Sequence, residues 1–459
     1  MIFNSFEFAV FFPLVFGLYW LLGQRQQNVL LLLASYFFYA FWDWRFLSLI
    51  LLSTAVDFVV AQRVHAADAA ATRKRWLLVS LIVNLGLLGV FKYFNFFLDS
   101  AVVLLEAVGL QANVPVLQII LPVGISFYTF QTLSYTIDVY RKDNEPTTNL
   151  IDFAVYVAYF PQLVAGPIER STSLMPQIAG RRQFDIEQVW SGAMLALIGF
   201  FKKVFVADNL APHVDAIFAT PDPGFWTVVA GGYLFAFQIY ADFSGYSDIA
   251  RGTSRMLGVE LRLNFDFPYA STSPQEFWRR WHISLSSWLR DYLYISLGGN
   301  RKGPVRTYGN LMATMVLGGL WHGAAWNYVL WGFYQGLCLC VHRWYIAHVK
   351  PLFRQGFVVY ALKVLLYFQF TCYGWILFRA QSLGQVGDMT LGLFRGETFD
   401  SGLFLPLVQF ALPMLLIEWL YTKERLPAPD LVRTVLYAGA FYLFVFHGEV
   451  SESFIYFQF

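Results

Sequence analysis

Apolar runs close to the roughly 20 residues that cross about 30 Å of hydrocarbon recur along the whole chain. They lie at 8–22, 28–42, 46–61, 76–98, 115–137, 151–166, 189–208, 225–241, 309–334, 356–378, 402–420 and 431–447, divided by short polar or Pro- and Gly-bearing breaks. Several are short or interrupted, so the pattern predicts an all-α polytopic membrane protein with about 9 to 12 crossings. No repeat of about 20–50 residues and no soluble-domain linker is apparent, so 1–459 is expected to form a single transmembrane domain. The first run lacks the basic flank and small-residue cleavage site of a secretory signal. Glu7 precedes it and Arg25 follows it, and 8–22 is expected to be a retained span.

Basic residues set the expected orientation. Arg25 follows the first run, Arg63, Arg73, Lys74 and Arg75 follow the third, and Arg141 and Lys142 follow the fifth. Placing these loops in the cytoplasm puts the N-terminus on the outer side. Arg170, Arg181 and Arg182 then break the alternation after the run 151–166, which holds Pro161 and ends in Ala165-Gly166-Pro167. A re-entrant hairpin restores the parity, provided that protein or water surrounds its broken backbone.

Residues 242–306 differ from their surroundings. They hold 15 charged side chains, interleaved with Trp278, Trp281 and Trp288. Such a segment cannot face lipid, yet it is too apolar for a free loop. Helices that lie at the membrane surface and dip into a wet cavity are expected, with an ordinary amphipathic cytoplasmic loop as the plainer alternative.

Composition sharpens this picture. Of 459 residues, 57% are apolar and 14% charged, with a mean hydropathy of +0.51, whereas soluble proteins carry about 25% charged residues. One water-soluble core stops growing at about 250–300 residues, so the excess must meet membrane lipids. A soluble enzyme, a disordered chain and a nucleic-acid binder are excluded. The net charge of +2 points to no partner. Cys338, Cys340 and Cys372 sit in apolar runs, an odd number without metal-ligand spacing, so neither a disulfide framework nor a metal site is expected.

The main chemical signal is His322, inside LMATMVLGGLWHGAAWNYVLWG (Leu311–Gly332), a stretch without Asp, Glu, Lys or Arg. An ionisable group at such depth normally faces the bundle interior or a cavity and is a functional candidate by default. Burial favours its neutral form, which can accept a proton. Gly318, Gly319 and Gly323 leave room for a helix or a substrate to approach, while Trp321 and Asn327 flank the imidazole as candidate binding residues. A core histidine bonded to a neighbouring helix is the plainer reading.

His282 lies in EFWRRWHISLSSWLRDYLY. On one continuous helix Arg279, His282, Ser286 and Arg290 would share a face, with Trp278, Trp281, Leu285 and Trp288 beside it. A cationic face including Arg280 suits a phosphate-bearing donor such as coenzyme A or a carrier's phosphopantetheine. Contact with anionic lipid head groups is the alternative. Asp242, Ser244, Tyr246, Ser247 and Asp248 in ADFSGYSD form a polar cluster expected at the end of an apolar run. Gly245 would permit a turn there, and the carboxylates would cap a helix or orient a histidine or arginine. His65, His213, His342, His348 and His447 lie near span ends and carry no assigned role.

These segments resemble the membrane-bound O-acyltransferase family, in particular its bacterial branch that acetylates exported polysaccharides such as alginate. The resemblance is densest in ILPVGISFYTFQTLSYTIDVYR (Ile120–Arg141), FPQLVAGPIER (Phe160–Arg170), DFSGYSDIA (Asp242–Ala250), EFWRRWHISLSSWLRDYLYISLGGNRKG (Glu276–Gly303), GGLWHGAAWNYVLWG (Gly318–Gly332) and the terminal FIYFQF (Phe454–Phe459). It implies a ring of transmembrane helices around a thin centre, where cytoplasmic and outer funnels meet. It implies His322 as the intramembrane histidine and His282 as the second catalytic position. It further implies a bacterial inner-membrane location, acetyl-CoA as donor substrate with no bound cofactor, and a periplasmic acetyltransferase partner or an exported polysaccharide as acceptor.

Three rival classes also fit parts of the pattern. A lipid or protein O-acyltransferase would need a lateral apolar tunnel. A transporter of a small acylated substrate usually shows paired broken helices in inverted repeats, against one polar segment and one intramembrane histidine here. A secretion scaffold would leave His322 dispensable.

Overall fold

The computed structural model describes residues 1–110, 119–349, 356–422 and 430–449. Residues 115–118 of the fifth apolar run and the terminal Phe454–Phe459 lie outside the described residues. Among the described residues every regular element is helical and none is a strand, as the alternation of apolar runs predicts. Among the described residues, five stretches are long and apolar enough to cross a membrane: Gln24–Ala66, Ala70–Ala107, Ile186–Phe218, Phe357–Arg379 and Ser401–Trp419. The chain is an all-α polytopic membrane protein. It divides into two compact units, residues 1–193 with 250–262, and residues 194–249 with 263–459.

The first unit opens with α1 (Phe6–Leu21) and α2 (Gln24–Asp43), followed by α3 (Leu47–Ala66), α4 (Ala70–Leu88), α5 (Phe94–Ala107) and α6 (Ile125–Arg141). Apolar side chains alone do not hold helices together in lipid, so interhelical hydrogen bonds matter more there. Asp57 of α3 is fully buried and accepts from Asn84 Nδ2 of α4 at 2.7 Å, from Thr136 Oγ1 of α6 at 2.9 Å and from Ser80 Oγ. The three helices are thereby fixed by polar groups at their common centre.

The run 151–166 folds as α7 (Leu150–Ala158) and the single turn α8 (Phe160–Leu163). At 1.5 Å per residue neither can cross hydrocarbon. Asn149 caps α7, its Oδ1 accepting from Ile151 N at 3.0 Å, and Phe153 to Phe160 are buried almost completely. The broken backbone is thus enclosed by protein, which is the condition attached to a re-entrant segment. The helix α9 (Ser171–Ala179) follows. Arg182 then donates to Asn28, whose Nδ2 donates to Asp152 at 2.7 Å.

The second unit begins within α10 (Ile186–Phe200), which continues through a π-helical turn at Phe201–Ala207 into α11 (Asp208–Phe218). Next comes α12 (Phe225–Met256), 32 residues long. Here the structure corrects the sequence reading. Apolar run 225–241 does not end at ADFSGYSD; that cluster lies in the middle of α12, and Gly245 makes no turn. Its role is steric: a Cβ on Gly245 would fall 2.7 Å from Gly199 O, and one on Gly199 would fall 2.6 Å from Gly245 O. The missing side chains let α10 and α12 cross backbone to backbone.

Beyond the crossing the chain forms α13 (Pro274–Arg280), α14 (Ile283–Trp288) and a π-helical turn at Leu289–Tyr294. The apolar run 309–334 is a second correction. Two helices fill it, α15 (Pro304–His322) and α16 (Trp326–His348), joined by an extended break at Gly323–Ala325. The helices return antiparallel: a Cβ on Gly332 would strike α15 at Met315, and one on Gly336 would lie 2.8 Å from Met312 Sδ. Hydropathy is blind to this break because Gly and Ala read as apolar. The remaining helices are α17 (Phe357–Arg379), α18 (Leu383–Gly392), α19 (Leu412–Thr422) and α20 (Asp430–His447).

Candidate active site

The helical hairpin puts His322 on the last residue of α15, 5% exposed. Its ring stands edge-to-face against three aromatic rings: Trp321 at 5.0 Å, Trp331 of α16 at 5.1 Å and Phe378 of α17 at 5.4 Å between centroids. Asn327, a candidate binding residue, donates to Ala380 O at 2.7 Å and Phe378 O at 3.4 Å. Its amide therefore pins the end of α17, and with it Phe378, beside His322.

His282 is fully buried. The single amphipathic helix expected through Arg279, His282, Ser286 and Arg290 is not formed. The helix stops at Arg280, and His282 takes a left-handed conformation with φ 43° and ψ 55°. The cause is a competing backbone pairing with 264–266: Asp266 N donates to Arg280 O, and Ile283 N to Asn264 O, both at 2.9 Å. Trp281 is drawn into the core, stacked on Phe277 at 5.6 Å and 4.7 Å from Trp375.

The break separates the expected site residues into two groups. Trp281 and His282 point inward, and the His282 ring lies 4.7 Å from Phe243 of α12 and 6.1 Å from Trp321. Trp321 thus touches both imidazoles. The arginines stay at the surface: Arg280 pairs with Glu276 at 2.7 Å, Arg290 pairs with Asp291 at 2.7 Å, and Arg279 is exposed. Ser286 Oγ donates to Trp281 O at 3.0 Å, and Trp288 packs 5.1 Å from Tyr292.

The π-helical turn after α10 presents two consecutive lysines to α12. Lys203 pairs with Asp208 and Asp242, each at 2.7 Å. Lys202 pairs with Asp248 at 3.0 Å and with Glu418 of α19 at 2.6 Å, and Tyr240 donates to Glu418 at 2.9 Å. The expectation that Asp242 caps a helix is corrected. It is half of a buried ion pair, one residue before the phenyl ring that meets His282. Ser244 and Tyr246 are buried on the same helix.

One residue at the site escaped the sequence reading. Asn264 Oδ1 lies 3.1 Å from His282 Nδ1 and accepts from Ser284 N at 3.2 Å and Ser284 Oγ at 2.9 Å. Asn264 Nδ2 donates to Ser247 Oγ of α12 at 3.3 Å. Nothing in the spacing of Asn264 and His282 foretells this contact, which depends on the backbone pairing of 264–266 with 280–283. Among the described residues no cluster of His, Cys, Asp and Glu has the make-up of a metal site.

Two buried imidazoles thus share an aromatic enclosure within a polytopic helical chain. Residues 141–383 match the membrane-bound O-acyltransferase family, and the chain belongs to that family. It is 46% identical over 402 residues to the probable alginate O-acetylase AlgI of Pseudomonas aeruginosa, covering 87% of this chain and 76% of that one. With the protein of the same name from Pseudomonas syringae pv. tomato it shares 45% over 396 residues, 86% of this chain and 75% of the relative. The peptidoglycan O-acetyltransferase of Helicobacter pylori is 36% identical over 417 residues, 83% of this chain and 78% of the relative. The chain is a multi-pass membrane O-acyltransferase.

Proposed function

We propose that the chain, acting over 1–459 as one catalytic domain, transfers acetyl groups from a cytoplasmic thioester, acetyl-CoA, through the bacterial inner membrane. The acceptor is a hydroxyl of an exported polysaccharide or of a periplasmic partner that serves it. The N-terminus faces the periplasm in this reading, and the helices surround a thinned centre. Support comes from relatives whose names specify O-acetylation of alginate and of peptidoglycan. The observation that carries it is the pair His282 and His322, both buried and joined through Trp321.

The chemistry follows from these groups. Exposed Arg279 attracts the donor's phosphates while the acetyl end reaches inward. Neutral His322 takes the proton of the acceptor hydroxyl as its oxygen attacks the thioester carbonyl. The new C–O bond forms, the C–S bond breaks, and the proton passes from His322 to the leaving thiolate. Such general-base assistance contributes about 10²- to 10⁴-fold. Only the small acyl group traverses the centre, which avoids moving the charged carrier through hydrocarbon. The test is acetyl transfer from labelled acetyl-CoA by the purified protein, beside mass analysis of surface polysaccharide from cells with and without the gene. Unchanged polysaccharide acetylation in cells without the gene would defeat the reading.

A further inference from the structure

We propose that Asn264 is a positioning residue that holds His282 in its Nδ1–H tautomer, so that Nε2 carries the lone pair offered to the reacting groups. The inference rests on the acetyl-transfer reading for its functional consequence, and on hydrogen-bond geometry alone for the tautomer.

The amide orientation of Asn264 is fixed first. Ser284 N can only donate, and it lies 3.2 Å from the atom placed as Oδ1. Flipping the amide would set two donors against each other there. On the opposite side Nδ2 meets Ser247 Oγ at 3.3 Å, a hydroxyl that can accept. With the amide so fixed, Oδ1 faces His282 Nδ1 at 3.1 Å. A carbonyl oxygen cannot donate, and Ser284 Oγ, 3.4 Å from the same nitrogen, already donates its proton to Oδ1 at 2.9 Å, so Nδ1 carries the proton. A bare Nδ1 would leave two lone pairs in contact in a fully buried site. In a neutral imidazole the other nitrogen is then the acceptor.

The backbone reinforces the arrangement. Ile283 N donates to Asn264 O at 2.9 Å, so one residue grips His282 through both main chain and side chain. This grip also maintains the left-handed backbone at His282, φ 43°, which is costly for a non-glycine residue and persists only when its surroundings enforce it. Phe243 packs edge-on against the imidazole at 4.7 Å between centroids. Orientation by a hydrogen bond to Nδ1 is how a buried acceptor prepares a catalytic histidine in hydrolase triads. Here an uncharged amide performs that task, which leaves the imidazole without a fixed negative neighbour from this side chain.

The experiment uses the full-length protein in detergent, labelled with ¹⁵N-histidine, with the His282 resonances assigned by their loss in His282→Gln. The expected result is a protonated Nδ1 and an unprotonated Nε2 in the wild type, and a mixture in Asn264→Ala. In that variant kcat falls about 10- to 100-fold, by analogy with the loss seen when the partner orienting a metal-bound histidine is removed, while KM for acetyl-CoA is unchanged. Asn264→Asp retains an acceptor at the same place and restores most of kcat. If Asn264→Ala does not fold, the wild-type tautomer and the Asn264→Asp rate still decide. An Nε2–H tautomer in the wild type, or wild-type kcat in folded Asn264→Ala, overturns the proposal. Absence of transfer by the wild type would defeat the acetyl-transfer reading instead, leaving the tautomer result to stand by itself.

Discussion

Gly199 and Gly245 face each other across the meeting of α10 and α12, each where the other's carbonyl oxygen would lie under 3 Å from an added Cβ. The contact keeps the two helices at backbone distance just before the turn that carries Lys202 and Lys203. Replacing either glycine by alanine must push the helices apart. Overpacking of this kind costs about 1–3 kcal/mol. Gly245→Ala is expected to lower the thermal unfolding temperature in detergent and to reduce turnover as the lysines leave register. Unfolding and turnover both at wild-type values would show that the crossing has slack.

The ion pairs behind that crossing make a sharper prediction. Lys203 is 2% exposed and holds both Asp208 and Asp242. Removing one member of a buried pair leaves uncompensated charge and costs about 3–5 kcal/mol. Lys203→Met should therefore yield little folded protein, and Lys203→Met with Asp242→Asn should recover part of it. A double-mutant cycle on detergent unfolding measures the coupling. Strict additivity would mean that the two side chains do not act together.

His322, the deepest titratable candidate in the sequence, does occupy a buried aromatic enclosure, because an ionisable group inside an apolar run has few other places to go. The overall helical character was equally readable from the spacing of apolar runs. What sequence pattern missed were breaks made by tertiary contacts. Gly323–Ala325 interrupts a run that hydropathy shows as continuous, and 264–266 competes with the helix that heptad-like spacing predicts through His282. Asp242 looked like a cap because its partner, Lys203, lies 39 residues earlier in the chain, beyond any local pattern. Asn264 was invisible for the same reason.

Substitution at His322 separates chemistry from packing. His322→Gln retains hydrogen-bonding atoms and similar volume but cannot take up a proton, so kcat should fall about 10²- to 10⁴-fold with folding intact. His322→Ala should lose the same activity and also loosen the contacts with Trp331 and Phe378. Labelled acetyl transfer, normalised to monodisperse protein, is the measurement. Wild-type turnover in the glutamine variant would remove His322 from the reaction.

The surface arginines should differ among themselves. Arg280 and Arg290 already hold carboxylates, whereas Arg279 is exposed with no ion pair among the described residues. Arg279→Gln is therefore expected to raise the apparent KM for acetyl-CoA about two- to fivefold, the scale of an exposed charge pair, with kcat unchanged. Added salt should narrow the difference because it screens the same attraction. A KM that depends on neither Arg279 nor salt would place donor docking elsewhere.

Glu276 supplies a pH dependence outside the spanning helices. Burial works against its ionisation, but Thr272 N at 2.8 Å, Thr272 Oγ1 at 2.7 Å and Arg280 at 2.7 Å outweigh burial and hold the carboxyl below its ordinary 4.5. A carboxyl whose folded pKa is depressed gives stability that is fully present above the unfolded value and is lost as pH falls through the folded value. The segment Thr272–Arg280 should thus be equally protected at pH 7 and pH 6 and should loosen below about 4.5, where the unfolded carboxyl begins to hold its proton. Because α13 leads directly into Trp281 and His282, loosening there should also slow turnover. Hydrogen exchange at amides 272–280, corrected for its intrinsic pH dependence, gives the readout. Glu276→Gln should lower protection at neutral pH and flatten its decline in acid; an unaltered acid profile in that variant would assign the effect to another group.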